Sequence, residues 1–143
     1  MNTAIKSVAI VNEWVAKHDI RFCIDTMFDT SEKDSTAISF TVNEADSIVP
    51  PNVVHFRVCG KDSAPDSVEK LATAMTATMR SGAAVELRCI GASAVYRGVL
   101  ACTIMKGKLF SCGKQAMVVP TWTTINDTKP ISAIRMTCWS KGD

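Results

Sequence analysis

"YRGVLACTIMKGKLFSCGK", residues 96–114, decides what kind of sheet the C-terminal half builds. It carries four basic residues, two cysteines, a Tyr and a Phe. Read with the two-residue period of a strand, Tyr96, Leu100, Cys102 and Ile104 share one face. Arg97, Val99, Ala101, Thr103 and Met105 share the other. Lys106-Gly107 then reads as a tight turn and Cys112-Gly113-Lys114 as a second. The segments "AVYRGVLACTIM", "KLFSC" and "QAMVV" become three consecutive antiparallel strands, with Pro120 closing the last. In this meander Cys102 faces inward and the basic residues face outward.

Working outward, "AVELRCI" at 84–90 and "ISAIRMTCW" at 131–139 also alternate, with Val85/Leu87/Cys89 and Ile134/Met136/Cys138 on apolar phases. Their polar phases carry Arg88 and Arg135. "SAPDSVEKLATAMTATMRSG", residues 63–82, is a helix: Val68, Leu71, Ala72, Met75 and Met79 recur at helical spacing. Ser63 and Asp66 form a capping-box-like start with Pro65 near the first turn, Arg80 suits the helix dipole in the last turn, and Gly82 supplies the stop. A first helix is expected over residues 3–18, capped by Asn2 or Thr3, with Ala4, Val8, Val11 and Val15 as its stripe, widened by Ile5 and Trp14. Strands are expected over 19–28, 37–42 and 53–59, the last opened by Pro50-Pro51. The expected fold is one α+β domain over residues 1–143: a mostly antiparallel sheet of seven to eight strands, two helices on one face, and a C-terminal β-meander.

With 143 residues, 47% hydrophobic and 21% charged, the chain is long enough to bury a core and too apolar for disorder. The N-terminal apolar residues are interrupted by Lys6, Asn12, Glu13 and Lys17, unlike a secretory signal, and no run reaches transmembrane length. A cytoplasmic protein without a membrane partner is expected. The six cysteines stand singly, with no Cys-x-x-Cys, and read as reduced thiols, mostly of the core. Net charge is +2, but residues 1–70 hold seven Lys/Arg against eleven Asp/Glu, and residues 71–143 hold nine against three. Such asymmetry between halves suits polyanion binding or head-to-tail association.

No motif for catalysis or a cofactor stands out. Cys102 and Cys112 have no companion pair for zinc, and the acidic run around Asp25, Asp29, Glu32 and Asp34 lacks a calcium loop's alternation and central Gly. Ser67 and Lys70 match Ser-x-x-Lys without the companion motifs of that chemistry. There is no Gly-rich phosphate loop, and His18 and His55 have no recognisable partner. Neither a metal nor a cofactor is expected. "VELRCIGASAVYRGVLA", residues 85–101, resembles the first motif of Sm-like RNA-binding proteins but lacks the acid after its second glycine. The helix-strand-strand-strand-helix order of residues 3–81 resembles a double-stranded RNA-binding domain, whose second helix opens with lysines where this one opens "PDSVEK". Neither pattern defines a family expectation.

Two functions follow, with a small enzyme centred on Asp25/Asp29 or Ser67/Lys70 as a third reading. The first is a small non-enzymatic binding or assembly protein acting through protein-protein surfaces, with a protein partner or a homo-oligomer. The second is a nucleic-acid-binding protein using Arg88, Arg97, Lys106, Lys108, Lys114 and Arg135 on the basic face of the meander.

Overall fold

A computed structural model describes residues 2–18, 20–28, 38–45, 49–58, 60, 67–126 and 130–141. Helix α1 (Asn2–Val15) runs into a 3-10 turn (Ala16–His18) and precedes strands β1 (Phe22–Phe28), β2 (Ile38–Glu44) and β3 (Val53–Val58). Helix α2 (Ser67–Arg80), β4 (Ala84–Cys89), α3 (Ala92–Phe110), β5 (Gln115–Asn126) and β6 (Pro130–Lys141) follow. β1 and β2 form an antiparallel pair. The other four strands form a second sheet in the order β3-β4-β6-β5.

The α+β class stands, but the single sheet of seven to eight strands with two helices does not. Six strands in two sheets and three α-helices are present among the described residues. The decisive difference is residues 92–110, which form a helix and not the first strands of a meander. Its buried positions are Ala94, Val95, Gly98, Val99, Ala101, Cys102, Thr103, Met105 and Leu109, a recurrence of three to four residues. Lys106-Gly107 therefore lies inside a helix. Cys112-Gly113-Lys114 is its C-terminal cap: Lys114 N–H donates to the Leu109 carbonyl and Gly113 N–H to that of Phe110, both at 3.0 Å. This is the Schellman arrangement, which requires the left-handed φ of +78° that Gly113 adopts.

The second difference is direction. β3 and β4 pair in parallel, joined by the crossover helix α2, whereas β4–β6 and β6–β5 are antiparallel. β5 also continues past Pro120 to Asn126, since β5 is an edge strand, where a missing N–H is tolerated. The second helix keeps its expected stripe and its Gly82 stop at φ +94°. Its Ser63, Pro65 and Asp66 start lies outside the described residues, as do Cys59 and most of the acidic run.

α2 and α3 cover one face of the four-stranded sheet, where Val85, Leu87, Cys89, Ile134, Met136 and Cys138 join Met75, Met79, Val99, Met105 and Leu109 in the main core. α3 approaches the sheet closely because Gly98 has no side chain. A Cβ there would stand 2.6 Å from Met136 Cε and 2.9 Å from Cys89 Sγ. α1 packs on β5 through Ile5, Ala9 and Asn12, leaving Val11 37% and Trp14 71% exposed, so its buried stripe is rotated from the expected one. The cause is Asn12. Its Nδ2 donates to the carbonyls of Pro120 (2.7 Å) and Phe22 (3.0 Å), and its Oδ1 accepts from Phe22 N–H (2.7 Å). One amide thus joins α1, the start of β1 and the edge of β5.

Of the cysteines, Cys23, Cys89, Cys102 and Cys138 are buried free thiols and Cys112 is exposed. Among the described residues, no helix is long and apolar enough to cross a membrane. Replacing Gly98 with Ala should cost about 1–3 kcal/mol through overpacking, and Gly98→Val more. Urea unfolding followed by tryptophan fluorescence checks this, and unchanged midpoints in both variants would remove the close-approach account.

Candidate nucleic-acid interface

With the helices on one face of the four-stranded sheet, the alternate side chains of β3, β4 and β6 stand on the other. Register then aligns them. Arg57 pairs with Arg88 across the parallel ladder, Arg88 with Arg135 across the antiparallel one, and Arg135 with Thr121. Three arginines stand in one row on neighbouring strands, each about 4.8 Å from the next at the backbone. Arg57 and Arg88 are exposed, and Arg135 is half-buried with its Nε donating to Thr121 Oγ1 at 3.4 Å.

Like charges on directly opposed residues repel. One carboxylate tempers the row: Glu86, two residues before Arg88, has a side chain only 12% exposed. Its Oε1 lies 3.4 Å from His55 Nδ1 and 3.9 Å from Arg135 Nη1. Arg57, Arg88, His55 and Glu86, with Ile90 and Ile131, line an open groove of about 410 Å³. The groove is polar and cation-rich, with an apolar shoulder formed by Ile90 and Ile131.

The six cations expected on one face are divided. Arg88 and Arg135 share the open part of the sheet face away from the helices; toward its other end Ala84, Val119 and Trp139 of that face are buried in a second cluster with Cys23. Arg97 lies on α3 in the helical layer, half-buried, with its guanidinium donating to Ser67 Oγ. Lys106 bonds the Asp25 carboxylate and donates to the Thr26 carbonyl at 3.1 Å. Lys108 is in the last turn of α3 and Lys114 in its cap, so these lysines belong to the opposite end of the molecule from the arginine row. Reading residues 96–112 as strands had placed them on the sheet. Arg57 was not singled out from the sequence, although the strand-helix-strand order of residues 53–89 is the pattern that produces parallel neighbours. The same pairing supplies His55 with its partner, Glu86.

Among the described residues the catalytic and metal candidates do not assemble. Ser67 Oγ is taken up by Arg97. Asp25 is paired with Lys106, and Asp29 lies outside the described residues. Cys112 is exposed while Cys102 is in the core, its sulfur 3.8 Å from that of Cys138. No group of three His, Cys, Asp or Glu residues placed to hold a metal occurs among the described residues. Burial pushes the Cys89 thiol well up from its ordinary value, with Cys102 adding to it. The contact with Cys138, and then burial, does the same for Cys102.

Residues 57–140 match the pattern of the Stage V sporulation protein S (SpoVS) family. The chain belongs to the SpoVS family. No curated protein matches it. The SpoVS match covers more than half of the chain and opens at Arg57, in β3. It takes in α2, β4, α3, β5 and nearly all of β6, hence the complete arginine row and the two helices behind it. α1, β1 and β2 precede the matched region and dock on it through Asn12.

Cys89, Cys102 and Cys138 all lie in the SpoVS unit, and the raised thiols give it a pH dependence. An unfolded thiol ionises near pH 8.5, whereas the folded Cys89 and Cys102 keep their protons well above that. Their contribution is fully present below pH 8.5 and is lost as pH rises. Between pH 7.5 and 9.5 stability should fall by roughly 2–3 kcal/mol from these two thiols together. The urea midpoint measured across that range checks it, and Cys102→Ala should flatten the decline. A flat profile for the unsubstituted protein would contradict it.

Proposed function

We propose that this chain is a small non-enzymatic binding protein that holds the phosphate backbone of nucleic acid on its open sheet face. The observation that carries the reading is the alignment of Arg57, Arg88 and Arg135 on three neighbouring strands. Guanidinium groups are planar and always charged, and they meet phosphate oxygens through paired N–H donors. A row of them gains from a polyanion the interaction that offsets its own repulsion. The family name connects its members with sporulation, so a regulatory role in that process is the biological setting that this reading proposes.

The experiment is a salt series of binding to labelled single- and double-stranded DNA and RNA, followed by anisotropy. Each phosphate contact on duplex DNA contributes about 0.9 to the log–log salt slope. Arg88→Ala with Arg135→Ala should weaken binding and flatten the slope by about 2, whereas Lys108→Ala, on the other side of the molecule, should leave both almost unchanged. Binding that is indifferent to the arginine pair would remove this face from consideration.

A second reading, association of copies of the chain, rests on the rotated α1. Val11 and Trp14 lie exposed on α1, and Val42, 46% exposed, lies on β2. Val8, Val11, Phe22 and Val42, with Ser7, line one largely apolar groove between these elements. A surface of this kind is suited to burial against a second copy. Light scattering over a concentration series should then show a defined oligomer that Trp14→Glu dissociates, and a strictly monomeric protein would exclude it.

A further inference from the structure

The two strands β1 and β2 have unlike outer edges. Ala45 N–H donates to the Arg21 carbonyl at 2.7 Å, one step beyond the Phe22–Glu44 pair, so Arg21 and Ala45 form a hydrogen-bonded pair of the antiparallel ladder. Bonded and non-bonded pairs alternate along such a ladder. Phe22 and Thr26 therefore point their backbone groups away from β2, while Ile38, Phe40, Val42 and Glu44 point theirs away from β1. The fold answers the β1 edge with side chains. Asn12 bonds both backbone groups of Phe22, and Lys106 donates to the Thr26 carbonyl at 3.1 Å. The outward groups of β2 have no such partner among the described residues.

β2 also lacks what keeps other edges from pairing. Charged side chains and proline discourage strand addition. β3 carries Arg57, and β5 carries Pro120 and packs against α1. β2, "ISFTVNE", has no Lys, Arg or Pro, and its one charge is Glu44 at its end. Val42 is 46% exposed and continues into the largely apolar groove beside α1.

The strand is self-complementary when reversed about Thr41. Phe40 of each copy then meets Val42 of the other, Ser39 meets Asn43, and Thr41 meets Thr41, with Ile38 and Glu44 opposed at the ends. In this register the outward backbone groups of Phe40 and Val42 fall in hydrogen-bonded pairs. Thr41 stands opposite itself in a non-bonded pair, about 4.5 Å apart at Cα. The two-fold axis is perpendicular to the sheet, so both copies present Phe40 and Val42 on one common face, next to their apolar grooves.

We propose that a second copy of this chain adds to the β2 edge, antiparallel about Thr41, to make one sheet continuous across both copies. The proposal rests on the reading that the chain self-associates, and it names the contact. A foreign extended peptide would meet the same backbone groups, but only a second β2 sets Thr41 against Thr41.

Sedimentation velocity of the full chain over a concentration series tests this, using Thr41→Lys, Thr41→Glu and their equimolar mixture. Thr41 is exposed, on the phase of β2 opposite Ile38 and Phe40, which pack on the core, so both variants should keep the circular dichroism spectrum. The unsubstituted protein should be a dimer. Each variant alone should dimerise at least tenfold more weakly, because like charges meet at the axis, and mixing the two should restore the dimer through Lys–Glu pairing. A dimer undisturbed by either Thr41 substitution but lost in Trp14→Glu would overturn this contact and leave the association reading standing. A strictly monomeric protein would overturn both. Weakening in both variants with no recovery on mixing would overturn the two-fold register.

Discussion

The close approach of α3 to the sheet at Gly98 is the constraint on which the remaining arrangement depends. A helix of nineteen residues lies against β4 and β6 because Gly98, Ala94 and Ala101 present little or no side chain there. Met136 and Cys89 fill the space that a larger residue would need. With α3 seated and α2 beside it, one face of the four strands is sealed. The charged residues of β3, β4 and β6 then stand on the other phase. The arginine row is the outcome of that packing combined with register: the parallel β3–β4 ladder and the antiparallel β4–β6 ladder bring Arg57, Arg88 and Arg135 level.

The N-terminal elements join this unit by a polar contact. Asn12 is 3% exposed, and its amide satisfies backbone groups at Phe22 and Pro120 that would otherwise be costly to bury. Pro120 cannot donate, yet its carbonyl still needs a partner, and Asn12 provides one at the sheet edge. The same contact rotates α1 and turns Val11 and Trp14 outward. A single buried hydrogen-bonded side chain thereby connects the docking of the helix to the apolar surface it leaves exposed.

Much of this was legible in the sequence, and the failures have identifiable causes. The α2 stripe, its Gly82 stop and the phases of β4 and β6 follow from simple periodicity, so Arg88 and Arg135 were placed on the open face from sequence alone. α3 was not, because it is apolar on most sides and an alternating phase can be drawn through it as easily as a helical one. Gly98 and Gly107 also argue against a helix by propensity, at about 1 kcal/mol each relative to Ala, and packing overrides them. The strongest overlooked signal was Gly113, which fits a helix cap as well as a hairpin turn. That misreading carried Arg97, Lys106, Lys108 and Lys114 onto a sheet face they do not occupy. Arg57 was missed because its neighbours depend on a crossover connection, and the stripe of α1 because Asn12 is polar at the centre of a buried face.

The cationic surface is therefore narrower than the charge balance of the two halves suggests, and one of its members comes from the acidic half. What distinguishes it is alignment on a rigid sheet and not total charge. The most direct measurement is the response of the arginine side-chain Nε–Hε resonances of the ¹⁵N-labelled protein to a short DNA duplex at low salt. The account predicts that Arg57, Arg88 and Arg135 shift together while Arg80 and Arg97, in the helical layer, stay where they are. Shifts of Arg80 and Arg97 with the other three unmoved would contradict it.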